Sequence, residues 1–97
     1  MKTVKHDDWL HKQLEDPEFA SHYLTAAAED EEPAVFLLAL RDVVETQGMS
    51  QMAERAGIPR ESLYRALSEK GNPRWSTLAP ILRALGVKLE ASPQQLR

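Results

Sequence analysis

The stretch Met49-Ser50-Gln51-Met52-Ala53-Glu54-Arg55-Ala56-Gly57-Ile58-Pro59-Arg60-Glu61-Ser62-Leu63-Tyr64-Arg65-Ala66-Leu67-Ser68 organises the rest of the chain. Met52, Ala53 and Ala56 share one face of a short helix, and Leu63, Ala66 and Leu67 share one face of a second, with Ile58 between them. Gly57 stands where the first helix must stop and turn, because glycine reaches positive φ without the penalty of a β-carbon. Ala53 is small, as a second helix crossing close over the first requires.

Small residue, four-residue step, glycine, apolar residue and a further apolar residue five on is the helix-turn-helix pattern of DNA-binding domains. Any helical corner in a bundle can carry Ala, Gly and Leu in these places, so the pattern alone favours DNA only modestly. The second helix raises the odds. Its outward residues are Arg60, Glu61, Ser62, Tyr64, Arg65 and Ser68, types that read base edges and phosphates.

Ninety-seven residues allow one domain with a modest core. Without cysteine there is no disulfide framework and no thiolate-based zinc or redox chemistry. The apolar runs are too short to span a bilayer, and MKTVKHDD lacks the apolar stretch of a signal peptide, so the expected location is cytoplasmic. The net charge of −3 conceals a partition. Met1 to Gln47 carries four Lys/Arg against eleven Asp/Glu, or −7, whereas Gly48 to Lys88 carries seven against three, or +4. The cationic segment coincides with the helix-turn-helix and suits a phosphate backbone. The acidic half is expected to face away from DNA and is suited to a basic protein.

Taken in order, Asp7 to Glu15 reads as a short helix with Trp9, Leu10 and Leu14 on one face. Asp16 as N-cap and Pro17 at the first helical position start a second helix, which runs to about Ala28 with Phe19, Tyr23, Leu24 and Ala27 as its stripe. The acidic run from Glu29 to Glu32 ends it, since negative charge is unfavourable at a helix C-terminus. Pro33 opens a third helix over Ala34 to Thr46, apolar on most of its circumference and therefore expected at the centre of the core. Beyond Ser68, residues 69–73 form a turn cluster. A last helix runs from about Trp75 to Leu85 and stops at Gly86, with Pro80 expected to kink it or to make its first turn irregular.

Val87-Lys88-Leu89-Glu90-Ala91 alternates apolar and charged residues, which is a strand pattern. Two readings stay open there. Its backbone pairs with a second copy of the chain in a twofold dimer, or the segment is an extended tail packed on the core. The expected architecture is all-α: an acidic helical extension over residues 1–32, a helix-turn-helix domain over 33–86, and a strand and tail over 87–97, in one compact unit.

The chain resembles the HigA-like, Xre-type antitoxins of the addiction-module antidote family, with a lambda-repressor-like fold. The resemblance covers about Phe19 to Leu89. It rests on Tyr23-Leu24 with Ala26-Ala27, on LLALRDVV (37–44), on GMSQMAERAGI (48–58), on RESLYRALS (60–68), and on GNPRWSTL (71–78) followed by LGVKL (85–89). It implies an antitoxin of a type II toxin–antitoxin module that represses its own operon, binding a double-stranded DNA operator as a homodimer. It also implies neutralisation of a RelE/HigB-like toxin. The chain departs from the family pattern at Pro59, where members place Ser before the recognition helix, and at Pro80, where a Lys-like residue is common. Two other readings remain: a protein-interaction module without DNA binding, and a phage-type repressor with no toxin partner.

The expected DNA-contacting residues are Gln51, Arg60, Glu61, Ser62, Tyr64, Arg65 and Arg74. Arg60 and Arg65 are assigned to base or phosphate contacts, with guanine for at least one. Glu61 either accepts from a cytosine amino group or pairs with Arg65 at i,i+4. Ser62, Tyr64 and Gln51 suit phosphate, and Arg74 suits a backbone clamp. With Pro59 in place of a capping side chain, the N–H groups of Arg60, Glu61 and Ser62 have no side-chain partner and are suited to a phosphate. Lys70 is either a phosphate contact or solvated surface. Trp75 is expected to anchor the core, and Trp9 packs on the core or in a partner interface. His6, His11 and His22 lack metal-ligand spacing, no cofactor site is visible, and no Ser-His-Asp grouping or phosphate-cradling glycine loop suggests an enzyme.

Overall fold

Proline and aspartate divide the chain into helices much as their chemistry dictates. The structure, a computed structural model, describes residues 4–95, with side chains from residue 8 onward; His6 therefore falls outside the described side chains. Six helices are described: α1 (Val4–Leu14), α2 (Pro17–Ala28), α3 (Pro33–Gln47), α4 (Met49–Ala56), α5 (Arg60–Ala66) and α6 (Trp75–Leu85). Asp16 caps α2, its Oδ1 accepting from the Glu18 N–H at 3.0 Å, with Pro17 in the first helical position. Asp30 Oδ1 accepts from the Glu32 N–H at 2.8 Å and shapes the acidic turn that leads into Pro33.

Gly57 is left-handed, with φ 74°. Its N–H returns to Glu54, and the Ile58 N–H donates to the Ala53 carbonyl at 3.0 Å, closing α4 before the chain reverses into α5. Gly86 ends α6 in the same way, with φ 76° and the Val87 N–H on the Leu82 carbonyl at 2.9 Å. Helix α6 continues through Pro80. At its start the Arg74 carbonyl accepts from both Thr77 and Leu78, a shared bond common at helix termini.

One apolar cluster draws on all six helices. Leu14, Leu40, Val44, Met52, Leu63, Leu67 and Ile81 are its fully buried side chains, and α3 contributes Leu37, Leu40, Val43 and Val44 to it. Helix α3 packs against α1, α2 and α4, the central place its apolar circumference predicts. An aromatic ladder ties the N-terminal helices together. Trp9 meets Phe19 edge-on at 6.2 Å, Phe19 stacks on Tyr23 at 6.4 Å, and the Tyr23 hydroxyl donates to Asp42 Oδ2 at 2.6 Å across to α3.

Two expectations are corrected. No strand occurs among the described residues, so the fold is all-α without the C-terminal strand. After Gly86 the chain runs irregularly, residues 87–90 lining a pocket with Ser21, Leu24, Thr25 and Ala28 of α2, with Val87 half-buried against the core and Leu89 half exposed. Burial does not follow the alternation at Val87 to Ala91, since Val87 alone of its apolar positions is half-buried while Leu89 and Ala91 are exposed. Trp75 is also not a core anchor, being 61% exposed. The buried residues of α6 are Ile81 and Leu82, so its first turn, where Trp75 sits, overhangs the packed region.

Burial first, then the Asp42 hydrogen bond and its negative charge, hold the Tyr23 hydroxyl above the usual tyrosine range. The contribution is fully present below about pH 10 and declines progressively above it, as the unfolded chain ionises while the folded hydroxyl keeps its proton. Tyr23→Phe is expected to cost about 1 kcal/mol in urea unfolding at neutral pH. The gap between the two proteins should hold from about pH 6 to 9 and narrow above about pH 10.

Candidate nucleic-acid interface

A helix as short as α5 presents a surface only if its inner face is anchored. Leu63 and Leu67 are completely buried, and Ile58 packs beside them on the cluster. Arg60, Glu61 and Arg65 are left exposed, with Ser62 and Tyr64 half-buried. Pro59 occupies the N-cap position with extended backbone and no capping side chain, as expected.

The outward residues fall into two groups. Arg60 and Arg65 are five positions apart, about 7.5 Å along the axis and roughly 140° around it, so they flank the exposed face. On one side the Arg60 guanidinium lies 5.5 Å from the centre of the Tyr64 ring. On the other, an Arg65 terminal nitrogen donates to Ser62 Oγ at 3.4 Å. Of the two readings of Glu61, the ion pair with Arg65 is not formed among the described residues, which leaves the carboxylate exposed.

Beside Arg65 lies an open cleft of about 520 Å³, lined by Ser62, Arg65, Ser68, Lys70, Pro73 and Thr77 among others. It brings Ser62, Arg65 and Lys70 to one place. Arg74 precedes α6 and is exposed at the end of the same loop, while Gln51 is exposed on the first turn of α4; neither lines the cleft.

Arg41 adds a contact that no spacing in the sequence announces. It belongs to the acidic half, yet its guanidinium lies 5.1 Å from the centre of the Tyr64 ring, so Arg41 and Arg60 both pack against one aromatic side chain. Arg41 Nε also donates to Glu45 Oε2 at 3.2 Å, and His11 Nε2 lies 4.0 Å from Glu45 Oε1. Helix α3 thus meets α5 through a cation–π contact. The i,i+4 spacing of Arg41 and Glu45 was the available signal, but the contact with Tyr64 exists only in the folded chain.

The loop after α5 depends on Gly71. A β-carbon there would run into the main-chain carbonyl oxygens of Ala66 and, at 2.8 Å, Arg65. Its backbone dihedrals are ordinary, so close approach is what requires glycine. No group of His, Asp and Glu suited to hold a metal ion occurs among the described residues, and none of the described helices is long and apolar enough to cross a membrane.

Comparison with known proteins adds a family. The family model described as "Probable addiction module antidote protein" matches residues 4–93. An uncharacterized protein of Haemophilus influenzae (strain ATCC 51907 / DSM 11121 / KW20 / Rd) is similar at 35% identity, over 81% of this chain and 91% of its own length. No solved structure matches.

Because rigid carbonyls, not flexible side-chain ends, surround Gly71, Gly71→Ala is expected to displace the loop and to cost about 1–3 kcal/mol of stability. Thermal unfolding measures that loss. Chemical-shift changes in the variant should concentrate at residues 65–74.

Proposed function

The chain belongs to the addiction module antidote protein family, and on that footing we propose that it is a sequence-specific DNA-binding antitoxin of the HigA-like, Xre type. In this reading it represses its own operon and neutralises a RelE/HigB-like toxin encoded beside it. The observation that carries the DNA half is α5: a short helix held by two fully buried leucines, following a left-handed glycine corner, with Arg60 and Arg65 exposed on its outer flanks.

Helix α5 enters the major groove, the width of which admits an α-helix. Arg60 and Arg65 read guanine edges, each able to donate two hydrogen bonds to O6 and N7. The exposed Glu61 accepts from a cytosine amino group. Tyr64, steadied by Arg41 and Arg60, joins Ser62 and Gln51 on the phosphates, and Arg74 clamps the backbone past the 69–73 loop. Such contacts position the helix, while the two arginines specify sequence. Residues 33–86 form the reading domain, 1–32 an acidic extension packed on it, and two copies address two half-sites.

Operator affinity measured across a salt series tests this directly. Arg60→Ala and Arg65→Ala should each lose roughly 1–3 kcal/mol and relax preference at one base position. Arg74→Ala should weaken all sequences about equally and reduce the salt slope by about 1. An unaltered salt slope and affinity in the Arg60→Ala/Arg65→Ala protein removes α5 from the interface. Complete absence of DNA retardation by the native chain favours the interaction-module reading.

A further inference from the structure

Helices α2 and α3 leave a groove of about 420 Å³ between them, lined by Tyr23, Ala26, Ala27, Val35, Leu38, Ala39 and Asp42. Ala27 and Ala39 are buried and make its floor, while Val35 and Leu38, 36% and 39% exposed, stand on the α3 wall. We propose that this groove is where the neutralised toxin docks, through a cationic segment that inserts apolar side chains. The proposal rests on the antidote reading and adds the surface that carries it out.

Charge identifies the occupant. From Pro17 to Leu40 the chain has no lysine or arginine and five carboxylates: Glu18, Glu29, Asp30, Glu31 and Glu32. The last four form the exposed turn joining the two groove helices, beside Ala26, Ala27 and Val35. Asp42, bonded to Tyr23, closes the other end. An apolar trough with carboxylates at both ends attracts a partner that is apolar at the centre and basic at the rim.

A second copy of the chain fits poorly. Groove against groove would oppose two stretches of charge −5. Placing α5 of one copy in the groove of another brings arginines but no exposed apolar side chain of α5, and it is a head-to-tail contact that does not close.

The test uses the full chain and the purified product of the reading frame adjacent to its own. Isothermal titration should show binding that weakens with salt. Leu38→Gln should weaken it about tenfold or more, as removal of a central apolar contact does, with the thermal midpoint and DNA retardation as in the native chain. Replacing Glu29, Asp30, Glu31 and Glu32 together by Gln, Asn, Gln and Gln should flatten the salt dependence. Equal binding by native chain and both variants overturns the groove and leaves the antidote reading standing. Failure of the native chain to bind overturns that reading and the groove with it. Conversion of a dimer to a monomer by Leu38→Gln in sedimentation, without the partner, assigns the groove to self-association and overturns the proposal.

Discussion

The structure turns on the burial of Leu63 and Leu67. A helix of seven residues forms one costly nucleus for very few hydrogen bonds, so α5 has no stability of its own in water. What keeps it helical is the complete removal of these two side chains from solvent, each worth on the order of 2 kcal/mol. Their partners are the helices that the rest of the chain supplies. The exposed arginines are therefore a consequence of core packing, and their spacing is fixed by side chains that never meet water.

Charge is distributed by the same architecture. No buried polar or charged side chain occurs among the described residues, so the core makes no electrostatic demand. Cations collect on α5 and the loop after it, and carboxylates collect on the α2–α3 turn. Arg41 belongs to neither group, being held by Glu45 on its own helix while lying against the Tyr64 ring. Pairing with Glu45 neutralises part of its charge, which makes Arg41 a better brace for the ring than a free cation for a phosphate.

Local chemistry was legible in the sequence wherever one residue type has a single good use. Asp16 with Pro17, Pro33, Gly57 and Gly86 each bound a helix where the chain says they should, because caps and left-handed glycines depend on neighbours within five residues. What failed depended on distance in the fold. Alternation at Val87–Ala91 suits a strand or an extended tail equally, and a strand needs a partner that periodicity does not supply. Trp75 shares the spacing of the α6 apolar stripe, yet spacing does not say where that helix ceases to be covered. Gly71 read as an ordinary turn residue, and its requirement comes from two carbonyls of α5. Arg41 counts as one of four cations in the acidic half, and its contact with Tyr64 joins residues 23 positions apart.

Helix α3 carries more apolar surface than its burial accounts for. Its apolar circumference predicted burial on several sides, and Leu37, Leu40, Val43 and Val44 are buried as that requires. Val35 and Leu38 are not. A lone exposed leucine needs no explanation in a small protein. These two stand together above a floor of buried alanines, beside Tyr23, in a stretch without a single lysine or arginine. Were the apolar coat there only to build the core, the face toward the acidic turn would carry polar residues at no loss of stability. Apolar side chains kept in solvent, with carboxylates at both ends of the groove they line, are better accounted for by a second molecule than by the fold itself.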